Sequence, residues 1–87
     1  AAPGEDAAMQ TRAILASIDR LLTEAGTDKS RLLTATIWLA DMADFNAMNA
    51  VWEDWIDSAN VPTRATGEVR LASAEYKVEI IVTAALP

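Results

Sequence analysis

The sequence predicts an α+β fold: a two-layer sandwich in which a mixed sheet carries two helices on one face. Three observations predict it. Two segments repeat apolar residues with helical period, and three shorter runs have strand composition. Their order along the chain is helix, strand, helix, strand, strand. Three strands with two helices on one side form a small two-layer architecture.

The opening "AAPGED" reads as loop, on Pro3 and Gly4. From about 6 to 25, Ile14, Ile18, Leu21 and Ala25 recur at helical spacing, with Leu15 and Leu22 widening the stripe. Gly26 is placed to end this helix as its C′ residue. After the polar turn "TDKS", the run 31–40, "RLLTATIWLA", is a strand. Leu33, Ala35, Ile37 and Leu39 are expected on one face, and Leu32, Thr34, Thr36 and Trp38 on the other. Neither face is strongly polar, as in a central strand covered on both sides. Asp41 is a candidate N-cap, with Asp44 adding negative charge to the first turn. Phe45, Met48, Trp52, Trp55 and Ile56 then form the apolar face of a helix over about 42–58, stopped by Asn60 and Pro62. Strands follow at about 64–71 and 76–85. The middle helix serves as a right-handed crossover between parallel strands.

Composition removes whole classes of chemistry. The 87 residues are read as one domain over 1–87, with no Cys and no His. Thiolate nucleophiles, imidazole bases and the common transition-metal ligand sets therefore lie outside its reach. Carboxylates, arginine, lysine, hydroxyls, backbone groups and water remain. Seven basic residues against thirteen acidic ones give a net charge of −6, which opposes a phosphate backbone. No apolar run approaches the length of a membrane span, and a cytoplasmic location is expected. The sheet pattern also leaves the first helix without a strand before it. An uncovered sheet edge favours either oligomerisation or a further N-terminal strand.

The segments "QTRAIL", "AGTD", "LLTATIWLADMADFNAMN", "PTRA" and "KVEI", in this order, resemble the YjgF/RidA family. Its members are reactive-intermediate deaminases, also called L-PSP endoribonucleases. The resemblance covers about residues 8 to 86, and "DMADFNAMN" and "PTRA…VEI" are its specific parts. It implies a chorismate-mutase-like sandwich, a homotrimer, and ligand clefts between subunits. It also implies that the last strand lies on the far side of the first, giving the order 76–85, 31–40, 64–71, where the residues alone suggest a terminal hairpin. Family members carry an N-terminal hairpin before the first helix, for which "AAPGED" is no counterpart, so a truncated chain is expected.

Two charged residues carry the functional reading. Strand parity puts Val69 and Leu71 on one face, and Arg64, Thr66, Glu68 and Arg70 on the other. In the last strand, Val78, Ile80 and Val82 oppose Lys77, Glu79, Ile81 and Thr83. If the apolar faces meet the helices, Arg64 and Glu79 share the helix-free face. On the residues alone, they belong to a solvated charged face, form ion pairs across an interface, or serve a site. The resemblance makes Arg64 the grip on a substrate carboxylate, and Glu79 the acid that orients or activates water. Thr66 stands where the family often has Cys, and its backbone N–H is expected to bind the oxo or imine group. Gly67 stands where a β-branched residue is common.

The implied reaction is hydrolysis of 2-aminoacrylate-type enamines or imines to 2-oxo acids and ammonia, as in 2-iminobutanoate/2-iminopropanoate deaminases, without cofactor or metal. A non-catalytic trimeric module binding small carboxylates is the alternative, and a ribonuclease or translation inhibitor a weaker one. Trp52 and Trp55 read as core, Trp38 as subunit packing, and Asn49 as a buried amide capping nearby backbone. Glu53, Asp54 and Asp57 read as a solvated acidic run.

Overall fold

The computed structural model describes residues 4–87, so Ala1–Pro3 of the expected N-terminal loop lie outside the described residues. Helix α1 spans Glu5–Glu24 and strand β1 spans Leu32–Leu39. Helix α2 covers Phe45–Trp55, followed by β2 at Thr63–Glu68 and β3 at Val78–Ala84. The α+β reading holds.

Both ends of α1 are set by glycine. Gly4 precedes the helix with φ of 81°, and a Cβ there would sit 2.8 Å from the Ala47 side chain. Gly26 adopts φ of 82° at the other end. Its N–H donates to Thr23 O, and the Thr27 N–H donates to Leu22 O, which is a Schellman closure. The second helix is shorter than the sequence suggests. Asp41 does cap, accepting from the Ala43 N–H at 2.9 Å, but it caps a single 3-10 turn, Met42–Asp44, ahead of α2. The helix also stops well before Pro62. Ile56 is extended, and Asp57 organises the following turn through the Ala59 N–H and the Asn60 side-chain amide.

Strand order is β2-β1-β3, with β1 parallel to β2 and antiparallel to β3. The last strand therefore flanks β1 on the side opposite β2, and the terminal hairpin suggested by the residues alone does not form. Each outer strand has one open edge among the described residues.

The core lies between the sheet and the two helices. Ala35, Ile37, Leu39 and Val78 from the sheet meet Ala7, Leu15, Ile18, Leu22, Met48 and Trp52. Several side chains depart from the sequence pattern. Leu33 is exposed whereas Leu32 is buried, because the β1–β3 register shifts between Leu32 and Thr34. That irregularity inserts one residue and reverses the alternation at the start of the strand. On α1, Leu21 is 56% exposed. The buried stripe instead runs Ala7, Thr11, Leu15, Ile18, Leu22, and Thr11 is accommodated because its hydroxyl donates to Ala7 O.

The helices are tied to each other and to the long loop by polar contacts. Trp55 Nε1 donates to Asp19 at 2.8 Å, while Lys29 Nζ lies 5.1 Å from the Trp55 ring and donates to its carbonyl. Gln10 holds the loop before β3 from two sides: its amide donates to Glu75 O, and its carbonyl accepts from the Lys77 N–H.

Candidate functional site

Arg64 sits on edge strand β2, directly opposite Ala35 of β1. Partners across a ladder share a face, and Ala35 is in the core, so the Arg64 side chain points into the helix layer. This corrects the expectation that Arg64 occupies the helix-free face. The parity argument used Val69 and Leu71 to mark the apolar side, but β2 ends at Glu68 and those residues do not report its face. Within the strand, Arg64, Thr66 and Glu68 pair with Ala35, Ile37 and Leu39, all buried.

A charge is tolerated there because α2 offers it a cradle. Phe45, Asn49 and Trp52 follow one another at i, i+4 and i+7 and so share one side of the helix. Arg64 Nη1 donates to Asn49 Oδ1 at 2.6 Å. Its Cζ lies 5.7 Å from the Phe45 ring centroid and 5.8 Å from that of Trp52. A flat, weakly hydrated guanidinium suits an aromatic surface better than an ammonium does. Two assignments from the sequence change here. Asn49 holds a side chain rather than backbone, and Trp52, although 2% exposed and part of the core, also floors the arginine.

Thr66 lies two residues along on the same side of β2. Its hydroxyl oxygen is buried with no hydrogen-bond partner among the described residues. The backbone polarity of the strand follows from one contact. The Val69 N–H donates to Leu39 O, so alternate residues before it turn their N–H groups to β1, while those of Arg64, Thr66 and Glu68 face the open edge. The structure thus brings the Arg64 side chain and the Thr66 amide to the same edge. Glu68 is engaged elsewhere, its carboxylate accepting from the Met42 N–H at 2.9 Å.

Glu79 is exposed and lies opposite Trp38 on β1. Trp38 is paired in turn with Gly67, and a Cβ on Gly67 would come within 3.0 Å of the Trp38 ring. Glycine at this position lets the indole lie across the strand. Glu79, Trp38 and Gly67 therefore mark the helix-free face, together with Ile81, Thr34 and Thr83. Arg64 and Glu79 are on opposite faces of one sheet. Two strand spacings and three residues of register separate them, roughly 14 Å between Cα atoms. Glu79 also borders a groove of about 600 Å³ at the open edge of β3, shared with Gln10, Ile14, Tyr76 and Ile80.

The family model described as Endoribonuclease L-PSP matches residues 2–86. The chain belongs to this family. Among its curated relatives, a RutC family protein of Haemophilus ducreyi is 49% identical over 82 residues, covering 94% of this chain and 70% of the relative. Reactive Intermediate Deaminase A of Arabidopsis thaliana is 32% identical over 77 residues, 88% of this chain and 41% of its own length. A crystal structure of a YjgF family member from Neisseria meningitidis superposes with a TM-score of 0.88 at 47% identity, over 90% of this chain and 66% of that one. Family membership thus agrees with the resemblance carried by "DMADFNAMN" and "PTRA…VEI". No helix is long and apolar enough to cross a membrane among the described residues.

Proposed function

We propose that this family member hydrolyses reactive enamines and imines of amino-acid origin to 2-oxo acids and ammonia, in clefts formed between copies of the chain. The observation that carries the reading is Arg64: a guanidinium held by a neutral amide and two aromatic rings at an open strand edge, next to outward-facing backbone N–H groups. Such a fork matches a carboxylate, with the Thr66 N–H available to the ligand's adjacent oxygen or nitrogen. The relationship to a plant protein named as a reactive-intermediate deaminase supports the chemistry.

The position of Glu79 dictates the assembly in this reading. A small ligand on Arg64 is out of reach of Glu79 of the same chain, so the acid comes from a neighbouring copy. Burying the helix-free faces in a homotrimer, where Ile81 is half exposed and Trp38 only partly buried in the single chain, supplies that neighbour. The Glu79 carboxylate takes a proton from water as it adds to the imine carbon and passes it to nitrogen, giving a carbinolamine. It then moves the hydroxyl proton to the amino group as the C–N bond breaks, so that ammonia leaves and the 2-oxo group forms. The imine is already electrophilic, so binding, positioning and proton handling suffice.

A second reading has its own support. One chain alone presents a carboxylate-binding edge without an acid beside it, as a metabolite-binding module would. RNA cleavage, which the family model's description suggests, is opposed by the net charge of −6. The deciding experiment generates a carboxylate-bearing enamine such as 2-aminoacrylate in situ and follows ammonia with and without the protein. Acceleration supports deamination. Carboxylate binding without acceleration supports the binding module.

A further inference from the structure

The partner that fixes Arg64 carries no charge. Asn49 Oδ1 accepts from Nη1 at 2.6 Å, and Phe45 and Trp52 lie against the same guanidinium. An aspartate at position 49 would occupy nearly the same volume, reach the same nitrogen and bond it more strongly, because a charge-assisted pair exceeds a neutral one. It would also cancel the positive charge. An incoming carboxylate would then meet a neutral pair and compete with a carboxylate already in place. A carbonyl dipole orients the guanidinium yet leaves its full charge for a ligand. Occupying Nη1 also leaves the Nε and Nη2 donors, the side edge of the fork, for a bidentate contact. Carboxylates occur one turn further along the same helix, at Glu53 and Asp54, and both are exposed and absent from the Arg64 cradle.

We propose that Asn49 is a positioning residue whose neutrality is functional: it presents Arg64 to an anionic ligand without quenching its charge. The inference rests on the reading that Arg64 grips a carboxylate. It makes a distinction that a purely structural tie between α2 and β2 does not. A structural tie is served as well or better by aspartate. A presenting residue is not.

The test is calorimetric titration of 2-oxobutyrate into the parent, Asn49→Asp, Asn49→Leu and Arg64→Ala, with thermal melting of each unliganded protein. The expected result is that Asn49→Asp melts at or above the parent temperature and binds at least about tenfold more weakly. Asn49→Leu, similar in volume but unable to accept the bond, also loses affinity. If Asn49→Asp binds within about twofold of the parent, the inference is overturned. If that variant does not fold, Asn49→Leu decides alone: parental affinity overturns the inference, and a loss of affinity at an unchanged melting temperature supports it. The Arg64→Ala arm separates the two levels. Parental affinity in that variant removes the underlying reading, whereas weak binding there beside tight binding in Asn49→Asp removes only the role of Asn49.

Discussion

Arg64 and Glu79 stand on opposite faces of one three-stranded sheet, Arg64 opposite Ala35 on the helix side and Glu79 opposite Trp38 on the bare side. Any site that uses both on one small molecule must take them from two copies of the chain. The geometry turns a pair of charged residues into a statement about assembly.

That statement is testable by complementation. Arg64→Ala and Glu79→Gln are each expected to lower turnover, the second by about 10²-fold with carboxylate binding kept. Unfolding and reassembling an equal mixture should restore about a quarter of the parental sites, because each mixed trimer regains one complete cleft of three. Ammonia release measured on the mixture reads this directly. No recovery, in a mixture shown by mass spectrometry to contain mixed trimers, contradicts a shared cleft.

Trp38 provides an independent check on the buried face. It lies across Gly67 on the helix-free side, and Trp38→Lys would put an ammonium where the proposed neighbour packs. Sedimentation is expected to show the parent as a trimer at micromolar concentration and the variant as smaller species. A parent that sediments as a monomer contradicts the assembly.

Acid stability should carry a small contribution from Asp28. Hydrogen bonds from the Ser30 hydroxyl and backbone N–H, helped by the Arg31 charge, hold its carboxyl below the ordinary value of 3.8. A depressed folded-state value means that the contribution is fully present above the unfolded value and is lost as pH falls through the folded one. Asp28→Asn should therefore melt lower than the parent at neutral pH, with the gap closing below about pH 4. Thermal melts across pH check it. A gap that widens in acid contradicts the sign.

How far the sequence was legible depends on what each residue could report. Helical period and Gly26 located α1 well, since the Schellman closure needs a residue that accepts positive φ. The β1 core positions Ala35, Ile37 and Leu39 followed from alternation, but Leu33 did not, because an irregularity in pairing leaves no mark in composition. Strand order came from family resemblance, as a local pattern cannot say which side of β1 the last strand takes. At the site, Arg64, Thr66 and Glu79 were legible as candidates; alternation placed Glu79 on the correct, helix-free face but put Arg64 and Thr66 on the wrong one. Val69 and Leu71 served as markers for a strand that ends at Glu68. Asn49 was visible as an amide among apolar neighbours in the family-like segment "DMADFNAMN", but not as the partner of Arg64. Its partner is fifteen residues away, and no spacing rule links the middle of a helix to an edge strand.

The most direct test of the account is the affinity of 2-oxobutyrate for Arg64→Ala compared with the parent. Loss of a bidentate charge-assisted contact should cost roughly 1.5–3 kcal/mol, about ten- to a hundredfold in Kd. Arg64→Lys should recover only part of this, since an ammonium lacks the fork. Oligomer melting should stay near the parental temperature, separating ligand grip from assembly. If Arg64→Ala binds 2-oxobutyrate as tightly as the parent does, the arginine is not the carboxylate anchor and the proposed activity loses its central support.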